Sequence, residues 1–130
     1  MLKQKINIDG YWKVVVYYNV NHYFFHIIQQ ELWSAGASHK IIATISRKML
    51  RRESKAVTYS NLNKRLSVVV FNQHNSFLDY LSSLVHEAEH VKQAMLYAYY
   101  VEDEGEPPAY TIGYLVMKMW RGFIAAIHQS

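Results

Sequence analysis

The chain has 130 residues, a size that suits one compact domain, so we expect a single domain over residues 1–130. It contains no cysteine, which excludes disulfides and thiolate metal sites; any metal must be held by His, Asp or Glu. The formal net charge of +4 is mildly basic and, without a basic stripe along the chain, does not favour a nucleic-acid partner. Residues 1–7 hold no apolar run of the secretory type, so we expect a cytoplasmic protein.

The first half of the chain is predicted to form a strand and two helices. The β-branched and aromatic residues Tyr11–Tyr18 predict the strand. A helix is predicted over Tyr23–Ser34, just before Gly36. A second helix is predicted from Lys40 to about Arg52, with Ser38 as its N-cap.

The second half is predicted to form a hairpin and two longer helices. The strands are Ala56–Ser60 and Leu66–Phe71, joined by turn-forming residues. A long helix is predicted from Phe77 to about Val101, and a last helix from Pro107 to about Ile127, with proline in its first turn. Charged residues interrupt the last helix, so we expect a core helix and no membrane span. Together these elements predict an α+β fold in which a small mixed or antiparallel sheet with a hairpin packs on helices.

The strongest motif is HEAEH at residues 86–90, inside the long helix. Helical positions four apart lie on the same face, so His86 and His90 can both reach one Zn²⁺ ion at about 2.0–2.1 Å. Glu87 lies between them and can act on a water molecule without being a ligand. Both histidines lie on a polar helix face, opposite an apolar face that includes Leu84 and Val91. The pattern therefore favours a metal site over a pair of core histidines.

A third metal ligand is predicted just after this helix. Glu106, which opens the last helix one acidic turn later, is the candidate for this ligand. The other interpretation is that Glu106 is simply an exposed residue of the acidic loop that contains Glu102. If Glu106 is not the ligand, Glu104 is the substitute candidate. Gly113 lies on the same face of the last helix as Glu106. A glycine inside a helix predicts a close contact, here between the last helix and the long helix that carries HEAEH, called the metal helix below. Tyr110 shares this face as well and is a candidate catalytic donor, although a half-buried aromatic residue whose hydroxyl meets solvent is the simpler interpretation.

With HExxH followed by Glu106-x-x-Ala109, the chain resembles the zincin metallopeptidases of the gluzincin type. The resemblance is strongest to the small single-domain forms, similar to short HExxH proteins of phages and gut bacteria, and it covers residues 76–117. It implies a minimal zincin-like domain with HExxH on a long central helix followed by a C-terminal helix. It also implies that His86, His90 and Glu106 bind Zn²⁺ and that Glu87 is the general base.

The resemblance implies a zinc-dependent metallopeptidase that hydrolyses peptide bonds with a zinc-activated water. Its substrate would be a peptide or protein segment that pairs in extended form with Leu66–Phe71, taken as the sheet edge beside the cleft. The chain lacks a match for the distal acid of larger gluzincins and has little room for a second domain. A shallow cleft is therefore expected, which another subunit could complete, and no membrane partner is expected.

Two other functions remain open on the sequence. The chain could be a non-catalytic zincin-fold protein that binds a metal or a partner, which a shallow cleft would favour. Alternatively, a phage-related protein could contact nucleic acid through a basic cluster on one side of the second helix, although a solvated helix end explains this cluster more simply. The basic cluster consists of Arg47, Lys48, Arg51 and Arg52.

Other polar residues carry weaker expectations. Asp79 could orient one imidazole of the metal pair or complement the helix dipole. Tyr59 and His74 would lie near the site only if the hairpin packs beside the metal helix. The second histidine pair, His22 and His26, lies in an aromatic segment without an acidic residue between them, which favours packing over metal binding.

Overall fold

The computed structural model describes residues 1–128. The strands are β1 (Leu2–Ile8), β2 (Trp12–Tyr18), β3 (Ala56–Asn61) and β4 (Leu66–Phe71). The helices are a short 3₁₀ helix (His22–Phe24), α1 (Phe25–Ser34), α2 (His39–Leu50), α3 (Phe77–Ala98) and α4 (Glu106–Ile127). The predicted α+β fold is confirmed.

The four strands form one mixed sheet in the order β1-β2-β4-β3. The pairs β1–β2 and β3–β4 are antiparallel, whereas β2 and β4 run parallel in the centre. The prediction that Leu66–Phe71 forms the sheet edge is therefore wrong: within this hairpin the edge strand is Ala56–Asn61, and β1 forms the other edge of the sheet. The physical reason is burial: β4 is almost wholly apolar and is covered on both faces, as a central strand must be, while every residue of β3 is only half-buried.

Strand β1 was not predicted from the sequence. Its odd-numbered residues Lys3, Lys5 and Asn7 are exposed, while the even-numbered residues between them turn towards the interior. This alternation is the pattern of a strand with one covered face, and it is the signal that could have identified β1. The strand adds a second hairpin to the sheet and separates β2 from solvent.

The helices cover both faces of the sheet. Helices α3 and α4 pack on one face, and α1 and α2 pack on the other. The first core combines β2, β4, α3 and α4, with fully buried side chains including Val14, Val16, Leu84, Val91 and Leu115. No helix within residues 1–128 has the length and apolar character needed to cross a membrane.

The close approach made by α4 is to the sheet, at Gly122. A Cβ atom on Gly122 would lie 2.7 Å from the ring of Tyr18 and would also collide with the side chain of Gln4. Gly113 is exposed, and a Cβ atom there would meet nothing within 4 Å. The expectation that Gly113 lets α4 approach the metal helix is therefore wrong, because its face of α4 is turned to solvent.

We predict opposite effects of alanine at these two glycines. Gly122→Ala should lower the free energy of unfolding by about 1–3 kcal/mol, because the methyl group overpacks a buried contact with the Tyr18 ring. Gly113→Ala should raise it by up to about 1 kcal/mol, because alanine favours an open helical position. Urea denaturation measures both; equal effects of the two substitutions would contradict the described approach of α4 to the sheet.

Candidate metal centre

Helix α3 carries the motif and is fixed in register at its start. The Ser76 side chain accepts a hydrogen bond from the Asp79 backbone N–H, as an N-cap does. Leu84, Ala88 and Val91 on the back of the helix are completely buried against the sheet and α4. With 3.6 residues per turn, this anchoring leaves the opposite face of the helix directed at solvent.

The two histidines of the motif lie side by side on that exposed face. The Nε2 atoms of His86 and His90 are 3.1 Å apart, and the ring centroids are 4.7 Å apart. Two nitrogen ligands at about 2.0–2.1 Å from a tetrahedral zinc ion would be roughly 3.3 Å apart. The spacing and exposure of the pair therefore fit two of the ligands of a zinc ion.

Glu87 lies beside the histidines and is buried, with 5% of its surface exposed. The Thr58 hydroxyl on β3 donates a hydrogen bond of 2.9 Å to Glu87 Oε1. This bond holds the carboxylate against the sheet, and within residues 1–128 Glu87 Oε2 accepts no hydrogen bond. The sequence analysis did not identify Thr58. The available signal was the alternation of side chains along β3, which turns Thr58 to the sheet face that α3 covers.

A cleft of about 700 Å³ runs between α3 and β3. Because successive strand residues point to opposite faces, a cavity lined by both Val57 and Thr58 follows the outer edge of β3. His86, Glu87 and His90 line the cleft from α3, and Lys48 of α2, the helix on the opposite face of the sheet, lines it as well. The histidine pair therefore faces a groove along an unpaired strand edge.

The structure does not bring Glu106 or Tyr110 to the histidine pair. Helix α3 continues for eight residues beyond His90 to Ala98, which is roughly 12 Å along the axis, before the connection to α4. Glu106 is the exposed first residue of α4, and Tyr110 is 74% exposed; neither lines the cleft. Across residues 1–128, no three His, Asp or Glu side chains are grouped closely enough to hold a metal ion.

The substitute ligand Glu104 is also exposed, in the connection between α3 and α4. Its neighbour Asp103 forms an ion pair of 2.9 Å with Lys92, which bridges to Glu89 of the motif at 2.7 Å. These two carboxylates hold the pKa of Lys92 above its ordinary value. The acidic connection is therefore tied to the end of α3 by Lys92.

The remaining candidates are bonded to, or packed against, residues other than the histidine pair. The Asp79 carboxylate pairs with Lys55 instead of with an imidazole, and this bond lowers the pKa of Asp79. Tyr59 belongs to the core on the opposite face of the sheet. His22 Nε2 lies 2.8 Å from the side-chain oxygen of Asn72, and His26 is exposed on α1, so His22 already has a polar partner within the protein.

His74 does not line the cleft and forms separate polar contacts with Asn72 and Ser83. Its Nδ1 lies 2.7 Å from the Asn72 carbonyl oxygen, and its Nε2 lies 2.7 Å from Ser83 Oγ. Because a carbonyl only accepts, Nδ1 donates to it and Nε2 accepts from the Ser83 hydroxyl. Burial lowers the pKa of His74, and the nearby Lys55 acts in the same direction, against the Asn72 carbonyl and Asp79.

Comparison with known proteins adds no relative to these observations. No protein-family model matches the chain, no curated protein matches it, and no solved structure matches it. The gluzincin resemblance therefore stays a prediction that depends on the motif.

We predict that Thr58→Val destabilises the protein. The variant leaves the buried Glu87 carboxylate without its threonine donor, so the free energy of unfolding should fall by about 1–3 kcal/mol. Thr44→Val is the matched control, because Thr44 is exposed on α2 and should change stability by less than about 0.5 kcal/mol. Urea denaturation distinguishes the two; equal losses would contradict the role of Thr58.

We also predict a pH dependence that originates at His74. Because its folded pKa lies below the ordinary 6.5, the unfolded state takes up the proton first as the pH falls. The contribution of His74 to stability is complete above pH 6.5 and is lost as the pH falls towards the folded pKa. Wild-type stability should therefore decrease more between pH 7 and pH 5 than that of His74→Gln. Equal slopes in urea denaturation would contradict this prediction, and the exposed neighbour Gln73→Asn should keep the wild-type slope.

Proposed function

We propose that this chain is a zinc-dependent metallopeptidase in which His86 and His90 bind the metal and Glu87 is the general base. One observation carries the proposal: two imidazole nitrogens 3.1 Å apart face a cleft whose wall also holds a buried, hydrogen-bonded carboxylate. A site that only held zinc would not need that carboxylate. Zinc would supply Lewis-acid chemistry, polarising a carbonyl group and making water nucleophilic near neutral pH.

In this proposal Glu87 handles the proton of the reaction. Thr58 fixes Oε1, so the remaining oxygen, Oε2, takes a proton from the attacking water and returns it to the leaving amine. Because the carboxylate is already buried and oriented, little rearrangement is needed when a substrate covers it.

The substrate would be an extended peptide. Strand β3 has backbone groups on its outer side that no other strand within residues 1–128 pairs, and the cleft follows that side past the histidines. A peptide that adds to β3 would carry its backbone across the site, with main-chain hydrogen bonds providing affinity.

Glu106 remains the proposed third ligand. Because it lies beyond the last two turns of α3, its carboxylate can reach His90 only if the segment 99–106 moves when metal binds. Tyr110, one turn further along α4, remains the proposed catalytic donor, which requires the first turn of α4 to move together with that segment.

A non-catalytic metal- or partner-binding protein is the second candidate function. The observation that favours it is the absence, from residues 1–128, of a third ligand placed beside the histidines. Two imidazoles could then hold a metal for a structural or binding purpose without hydrolysis.

We predict that Glu87→Gln abolishes peptide hydrolysis while the protein stays folded and keeps its zinc. The rate should fall by roughly 10²–10⁴-fold, because the amide cannot accept the proton. Glu89→Gln is the matched control: its carboxylate contacts Lys92 and the substitution should keep most of the activity. The measurement is cleavage of a mixed peptide library by the zinc-loaded proteins, followed by mass spectrometry.

Either of two results would reject the peptidase. If zinc-loaded wild-type protein cleaves no peptide of the library, the non-catalytic function is favoured. If Glu87→Gln cleaves as fast as the wild type, the hydrolysis does not use the carboxylate described above.

A further inference from the structure

The C-terminal end of α2 borders the cleft. The backbone oxygen of Lys48 accepts hydrogen bonds from the N–H groups of Glu53 and Ser54, at 2.9 and 3.2 Å, just before β3 begins. Lys48 therefore lies at the Ala56 end of β3, where it lines the same cleft as His86. The basic cluster noted in the sequence continues from this point along the adjacent surface.

The adjacent surface is a pocket of about 180 Å³. Arg52 and Lys55 line it, and it lies next to a third hollow that reaches His86 and Glu87. The metal pair and the basic cluster are therefore parts of one continuous surface along the start of β3.

The charges of the basic cluster lack ion-pair partners among the residues that the structure describes. Lys55 pairs with Asp79, but Arg47, Lys48, Arg51 and Arg52 form no ion pair with any carboxylate in residues 1–128. The carboxylate in the cleft, Glu87, is bonded to Thr58 instead. One end of the cleft therefore has an excess of positive charge that a ligand could balance.

We propose that the cleft selects acidic peptides, with Lys48 and Arg52 contacting acidic side chains of an extended segment whose backbone pairs with β3. This inference rests on the proposed peptidase function and specifies its substrate class. The basic cluster lies at the Ala56 end of β3, which is the end nearer His86. The acidic side chains of the bound peptide would therefore lie on the His86 side of the peptide bond that is cleaved. An acidic segment there gains charge–charge attraction in addition to its main-chain hydrogen bonds.

A peptide fits this surface better than a nucleic acid does. The outer edge of β3 offers backbone donors and acceptors in a row, which an extended peptide backbone matches and a sugar–phosphate backbone does not. The basic cluster is also confined to one helix end, whereas nucleic-acid binders place cations along the length of the strand that they hold.

The test measures binding, so that it does not depend on turnover. Three labelled peptides are identical except at four positions that carry Glu, Gln or Lys, and their affinities for the zinc-treated Glu87→Gln protein are measured by fluorescence anisotropy. The Glu peptide should bind about tenfold more tightly than the Gln peptide at low salt. This preference should shrink several-fold at about 0.5 M salt, because the charges are exposed to solvent.

Variants locate the source of the preference. Lys48→Gln should reduce the preference for the Glu peptide about threefold, and Lys48→Gln with Arg52→Gln should remove it. Lys40→Gln is the control, because it removes the same charge from the opposite end of the same helix. Circular dichroism checks that each variant is folded.

Several results would overturn the inference: equal binding of the Glu and Gln peptides, no binding of any peptide, or an unchanged preference in the double variant. Tighter binding of an oligonucleotide of the same net charge would also overturn it, in favour of nucleic acid. Failure of the proposed function is distinct: an acidic preference that depends on Lys48, in a wild-type protein that cleaves nothing, identifies an acidic-peptide binding module.

Discussion

The packing of α3 against the sheet is the constraint on which the candidate site depends. Leu84, Ala88 and Val91 are fully buried, so the rotation of the helix about its axis is fixed and the histidine side must face β3 and the cleft. The same rotation places Glu87 at the boundary between core and cleft, where Thr58 satisfies one of its oxygens. The geometry of the site thus follows from apolar burial on the opposite side of one helix.

The edge position of β3 leaves its outer backbone groups accessible beside the candidate site. An edge strand leaves unpaired backbone groups, which invite association with another extended chain. Here α3 on one side and Lys48 on the other flank that edge, so a bound segment would be enclosed on two sides and open to solvent on the third. Zinc chemistry, main-chain pairing and positive charge would act on the same few residues of a bound peptide.

The sequence predicted the parts that depend on local pattern and missed those that depend on packing. The 3.6-residue periodicity identified α3 and its polar face, because apolar burial and helix geometry agree there. The edge of the sheet was misassigned although β4 carries the available signal, an almost wholly apolar run that is typical of a central strand covered on both faces. Gly122 was overlooked because contacts between a helix and a distant strand leave no spacing pattern in the chain. The separation of Glu106 from His90 depends on how α4 packs against α3, which the spacing of residues along the chain does not determine.

The most direct test of the account is a calorimetric titration of the metal-free protein with zinc. The wild type should bind one zinc ion per chain, and His86→Ala and His90→Ala should each lose it, because each removes one of two adjacent ligands. His39→Ala, which changes an exposed histidine on α2, should bind as the wild type does. Absence of zinc binding in the wild type, or unchanged binding in both motif variants, would contradict the assignment of a metal centre to HEAEH.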